Sequence, residues 1–113
     1  MIIRKYNKKY KAAINKPSSV WFIWFYRDGC PFCDSVHSDW DKLEAYVRKN
    51  KLKINIAKIE GKFINEDMLG FNPNISYVPT FMIRKINDKG KAINTIKNTR
   101  DLEEFKKIVS KYS

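Results

Sequence analysis

Val20-Trp21-Phe22-Ile23-Trp24-Phe25-Tyr26, followed by Arg27-Asp28-Gly29-Cys30-Pro31-Phe32-Cys33, is the stretch on which the reading of this chain turns. Its first seven residues are apolar without interruption or alternation. That pattern predicts a strand covered on both faces, in the middle of a parallel or mixed sheet. The run is too short to cross a membrane, which takes about 20 residues in a helix. Arg27 to Cys30 reads as a turn. Pro31 suits the first position of a helix, where its missing N–H costs nothing. Phe32, Val36, Trp40, Leu43 and Val47 then recur at helical spacing and predict a helix over 31–49. Cys30 and Cys33 thus straddle a strand-to-helix junction.

Working outward, Tyr6, Tyr10, Ala13 and Ile14 predict an amphipathic helix over 4–15, with Met1-Ile2-Ile3 as a short edge strand before it. Ile54, Ile56, Ala57 and Ile59 mark a second strand ended by Gly61, and a short helix around 65–70 is stopped by Gly70. Tyr77 to Ile86 reads as a third strand. Asn87-Asp88-Lys89-Gly90 is a hairpin turn, and 91–96 is the strand that returns from it. Asn98 or Thr99 is expected to cap a last helix bearing Leu102, Phe105, Val109 and Tyr112 on one face. Strands joined by helices lie parallel and the hairpin is antiparallel, so the expected fold is a three-layer α/β/α sandwich with a mixed sheet of four or five strands. No repeat or linker divides the 113 residues, which are expected to form a single domain over 1–113.

Composition narrows the function classes. With 43% hydrophobic residues and 16 aromatics the chain can bury a core. Two cysteines and one histidine are too few for a disulfide-stapled scaffold or a Cys/His metal centre, so no metal or cofactor is expected. The net charge is +11, yet residues 27–44 carry a net of −3 while 1–16 and 45–113 carry +6 and +8. Such a field can steer acidic partners or nucleic acid, but the plainer account, which is preferred, is solvated lysines on helix faces. The first 19 residues are basic and polar without an apolar h-region, which predicts a cytoplasmic, reducing setting.

The Cys30-Pro31-Phe32-Cys33 motif carries the chemistry. A helix N-terminus presents unpaired N–H groups and a positive dipole end, which favour a thiolate at Cys30. The thiolate is the reactive form. Two intervening residues bring the sulfurs within reach across the first helical turn. The loop side is expected to expose Cys30 and the helix to shelter Cys33, making Cys30 the attacking thiol and Cys33 the resolving one. The reaction this implies is thiol–disulfide exchange through a mixed disulfide. His37, four residues after Cys33, reads as a packed or solvated histidine, with a proton relay to Cys33 as the alternative.

These residues resemble the thioredoxin superfamily over nearly the whole chain. Phe25-Tyr26, three further residues, the Cys-X-X-Cys pair and Trp40 are similar to the active-site segment of thioredoxins and protein disulfide isomerase domains. Tyr77-Val78-Pro79-Thr80-Phe81 is similar to the family's cis-proline loop. The resemblance implies a cis Val78–Pro79 bond facing the dithiol and substrate binding by Tyr77, Val78 and Pro79, with the Val78 backbone pairing with an extended substrate. Departures are also visible. Gly29 precedes Cys30 where thioredoxins have Trp. The pair Pro31-Phe32 is closer to the Pro-Tyr of glutaredoxins. Trp24 stands where the family places a buried acid, which implies impaired proton handling at Cys33. Lys58, the family partner of that acid, is then expected to favour thiolate. Pro31, Phe32, Lys58 and Trp24 are therefore expected to tune the motif, toward a less reducing potential than thioredoxin's.

The function expected is that of an enzyme, a thiol–disulfide oxidoreductase exchanging disulfides with protein disulfide or dithiol substrates, monomeric and off the membrane. A reductase or sulfhydryl oxidase is the implied electron partner. Glutathione-linked exchange is the first alternative, suggested by Pro31-Phe32 and opposed by the absence of a Gly-Gly pair after Pro79. The second is a basic module that keeps the fold and binds nucleic acid or an acidic protein without redox turnover.

Overall fold

The computed structural model describes residues Met1–Ser113. The unbroken apolar run forms β2 (Ser19–Tyr26), the centre of a five-stranded sheet. Its neighbours are β3 (Asn55–Glu60), parallel to it, and β4 (Thr80–Ile86), antiparallel. β1 (Ile2–Ile3) lies parallel on the outer side of β3, and β5 (Ala92–Lys97) closes the other edge as the hairpin partner of β4. The order β1-β3-β2-β4-β5 is the mixed sheet expected.

Both faces of β2 are buried, which is why its sequence does not alternate. Phe22 and Trp24 point to one side, where α2 (Pro31–Lys49) and α4 (Leu102–Lys111) supply Val36, Trp40, Leu43, Val47, Phe105 and Val109. Trp21, Ile23 and Phe25 point to the other, where the one-turn helices α1 (Lys11–Ile14) and α3 (Glu66–Leu69) contribute Ile14 and Leu69. Three layers result. No helix is long and apolar enough to cross a membrane.

Several details differ from expectation. The first helix is not continuous over 4–15. A 3₁₀ turn starts at Lys8 because the Asn7 side chain accepts the Lys9 N–H, and α1 begins only at Lys11. Tyr6 is instead drawn into the core, its hydroxyl donating to the Met68 carbonyl at 2.7 Å. The third strand starts at Thr80 and not at Tyr77, since Tyr77–Pro79 form the loop around the cis Val78–Pro79 bond and Pro79 has no N–H to give a ladder. Asp101 caps α4, accepting the Glu104 N–H at 3.0 Å, while Thr99 donates its hydroxyl to the Glu104 carboxylate. Phe32 leaves the apolar stripe of α2 and is 65% exposed; Cys33 takes its place in the core.

Candidate functional site

β2 delivers the chain to one end of the sheet, and Arg27–Cys30 turn it into α2. Cys30 is the N-cap residue of α2, in extended conformation at φ −81°, ψ 118°. Its Sγ accepts the Cys33 N–H at 3.3 Å, so the thiol does what an Asp or Ser does at other helix starts. Its carbonyl accepts the Asp34 N–H at 3.0 Å, opening the helical ladder. Pro31 occupies the first helical position as expected.

The two sulfurs sit in different surroundings. Cys30 retains 8% exposure at the rim, less than the loop position suggested, while Cys33 has none. The Cys30 thiol is held below the ordinary value, first by the hydrogen bond from the Cys33 thiol, then by the Cys33 N–H, with smaller help from the Phe32 N–H and Arg27. The Cys33 thiol is pushed up to about 11, first by burial, then by hydrogen bonding to Cys30. The two thiols are thus distinguished by environment. The leading cause is the neighbouring thiol, and the helix N–H groups expected to favour the thiolate add to it.

The cis-proline loop lies beside this turn. Phe25 pairs with Thr80, which places Val78–Pro79 at the end of the sheet where β2 gives way to Arg27. Arg27, Tyr77 and Val78 share the wall of one open groove of about 530 Å³. The Thr80 hydroxyl closes the loop by donating to the Tyr77 carbonyl. Tyr77 and Phe32 are both large and largely exposed, Tyr77 at 70%.

Trp24 occupies the core below the motif. Its ring stacks on Phe81 at 6.3 Å and 10°, and packs against Trp40, Tyr26 and His37. Its indole N–H is buried without a partner. His37 is accordingly a packed residue, edge-on to Trp24 at 4.7 Å and to Tyr26 at 5.1 Å, and burial lowers its pKa. Lys58 faces the same layer in register with Trp24. Its charge acts on His37 and Glu44. Sequence reasoning missed Glu44, a buried carboxylate on α2 paired with Arg4 at 2.9 Å. It also gave no role to Arg27, in the turn just before the motif, or to Arg100, whose placement beside Phe32 depends on how distant segments meet.

A sheet buried on both faces, a dithiol across the first turn of its principal helix and a cis-proline loop beside it define the thioredoxin-like class of α/β domains. The chain belongs to the thioredoxin family, whose family model, described as Thioredoxin, matches residues 1–111. Among solved structures it is similar to the Trx4 domain of ERdj5, with a TM-score of 0.73 and 12% identity over 97% of this chain and 94% of that one. The first thioredoxin domain of mouse protein disulfide-isomerase A4 gives a TM-score of 0.70 and 23% identity over 95% of this chain and 72% of that one. Human ERp44 gives 0.73 and 15% over 95% of this chain and 31% of that one. The chain spans 51% of the J-Trx1 fragment of ERdj5 and 14% of the longer ERdj5 structure. At these identities the likeness is one of fold. Comparison with curated proteins gives no match.

Proposed function

We propose that this domain is a thiol–disulfide oxidoreductase acting on protein disulfides through Cys30 and Cys33. The observation that carries the reading is the asymmetry of the pair: a rim thiol held acidic as a helix cap, and a buried thiol held protonated behind it. A binding module without turnover has no use for that difference. The Cys30 thiolate attacks a substrate disulfide, forming one S–S bond as another breaks, and the departing substrate thiolate takes up a proton. Cys33 then loses its proton and attacks the Cys30 sulfur, releasing the second substrate thiol and leaving a Cys30–Cys33 disulfide. A reductase supplies the two electrons that return this disulfide to the dithiol, whereas in the reverse direction a sulfhydryl oxidase reoxidises the dithiol after it has oxidised a substrate; the cytoplasm is the compartment we assign to the exchange, to be checked by localising the tagged protein.

The direct test is insulin disulfide reduction with dithiothreitol as electron source. Cys30→Ser is expected to abolish it, and Cys33→Ser to accumulate mixed disulfides visible on non-reducing gels. Normal turnover by the Cys30 variant would end the proposal. Because the reduced form gains from the stabilised thiolate, the potential is expected above the roughly −270 mV of thioredoxin, in the upper half of a family range reaching about −120 mV. Redox titration against glutathione buffers measures it.

A further inference from the structure

Two guanidinium groups flank the dithiol on the side of the cis-proline loop. Arg27 stands in the turn before α2. Its stem lies over Gly61, where an added Cβ would meet Arg27 Cγ at 3.9 Å, and it borders the groove of Ile64, Ile75, Tyr77 and Val78. Arg100 comes from the far end of the chain, just before α4. Its guanidinium carbon lies 5.9 Å from the centroid of the Phe32 ring, within the motif itself. With Tyr77, Pro79 and Ile96 it lines a second, smaller depression on the other flank of the loop. Both arginines are exposed, and neither belongs to an ion pair of the fold.

The acids of this region are turned elsewhere. Asp28 and Glu60 border a separate depression with Lys5, Tyr26 and Lys62. Asp28 and Asp34 act on His37, on the Tyr26 side of the motif. Asp101, the neighbour of Arg100, caps α4, and Glu104 accepts the Thr99 hydroxyl and the Arg100 N–H. The dithiol therefore divides an acidic flank from one on which Arg27, Arg100 and Lys97 belong to no ion pair, the Asp101 and Glu104 carboxylates beside Arg100 being engaged by backbone N–H groups. The net of −3 over residues 27–44 hides this division.

We propose that the cis-proline flank selects protein disulfides whose reacting cysteine has acidic neighbours, Arg27 and Arg100 meeting the carboxylates and Phe32 and Tyr77 covering the apolar part of the segment between them. The selectivity rests on the redox reading above. Exposed ion pairs are individually weak, so the preference arises from two of them acting together and is screened by salt. The chain's net charge of +11 adds to the encounter rate with such segments.

Single-turnover reduction of three synthetic peptides by the reduced protein tests this. Each peptide carries the same intramolecular disulfide, its attacked cysteine flanked by Glu, Gln or Lys. Every rate constant is divided by that of 2-mercaptoethanol with the same peptide, which removes the effect of the flanking charge on the disulfide itself. The normalised Glu-to-Gln ratio is expected at about five to ten, the Lys peptide below the Gln peptide, and the spread shrinking severalfold from low salt to 0.5 M. In the doubly substituted Arg27→Gln, Arg100→Gln protein the ratio is expected to fall to near one, a comparison in which any change in Cys30 reactivity cancels. A wild-type ratio of one or less, or a ratio that survives both substitutions, overturns the selectivity while leaving the redox function standing. Glutathione disulfide reduced faster than the Glu peptide also overturns it and assigns the arginines to glutathione carboxylates. If no peptide is reduced, the redox reading falls and the selectivity with it.

Discussion

The Cys30 thiol is held below the ordinary value first by a hydrogen bond from the Cys33 thiol, the group proposed above to resolve the mixed disulfide. The two sulfurs are one device, since the donor that stabilises the first anion is itself kept protonated by burial. Replacing the donor separates the contributions. Cys33→Ala removes the side-chain donor and leaves the backbone N–H, so the Cys30 pKa is expected to rise part of the way toward the ordinary thiol value. Cys33→Ser keeps a hydroxyl donor and is expected to hold it down. The pH dependence of iodoacetamide alkylation reads both, and equal midpoints for the two variants would show that the backbone alone supports the thiolate. Trp24 completes the picture from below. The indole places aromatic carbon where relatives are expected to have a carboxylate, and it lies against Phe81, Trp40 and Tyr26 without offering a group that could take the Cys33 proton.

The short helices α1 and α3 are held by polar contacts that their own length could not replace, since one turn of helix is unstable alone. Asn15, just after α1, donates from Nδ2 to the Lys11 and Leu69 carbonyls, both at 2.8 Å, and accepts from Arg84 on β4. Arg84 is buried with no carboxylate partner. It donates to the Ile14 carbonyl at 3.2 Å and to Asn94 at 2.9 Å, and its guanidinium carbon sits 3.7 Å from the Phe71 ring centroid. Burial lowers its pKa to about 10, which leaves it charged at neutral pH. Gly70 ends α3 at φ +79°, a left-handed position, and a Cβ there would lie 2.7 Å from Asn15 Nδ2. Gly70→Ala thus combines backbone strain with displacement of Asn15, and is expected to cost about 2–3 kcal/mol in urea unfolding. Gly90, at φ +82°, would place its Cβ no closer than 4.0 Å to a neighbour. Gly90→Ala is the control and should cost about 1 kcal/mol. Equal losses would mean that Asn15 gives way freely.

Across the fold, the least settled charge is Glu44, 3% exposed on α2. Arg4, just after β1, donates to its Oε1, while Oε2 has no partner. Burial raises its pKa, partly offset by Arg4 and Lys58. A carboxyl raised in the folded state binds protons more tightly there than in the unfolded chain. Its stabilising effect is therefore full below the ordinary carboxyl range and is lost as pH rises through the raised value. Glu44→Gln mimics the protonated form. It is expected to stabilise the protein at pH 7 by on the order of 1 kcal/mol, with the gain vanishing on acidification below the ordinary range. Thermal melts across pH 4–8 check the sign; a variant less stable than the parent at pH 7 would show that the Arg4 pair outweighs the burial.

Much of this was legible in the order of residues. The unbroken run of β2, the Pro31 helix start, the spacing of Val36, Trp40, Leu43 and Val47, and the hairpin turn at Asn87–Gly90 are local signals, and local propensity and periodicity act over a few residues. They determined the elements, the parallel and antiparallel joins, and the placing of Cys30 and Cys33 at a helix start. Tertiary structure alone decided what no window along the chain contains: Tyr6 leaving a helical pattern to reach Met68, Phe32 turned outward under Arg100, Lys58 facing His37 and Glu44, and Arg84 binding residues on both sides of it in sequence. Side chains take their partners from whatever the packing brings near, over separations as long as the 70 residues between Arg84 and Ile14. A thiol's acidity is set in the same way, by burial and donors that exist only once the chain has closed around it.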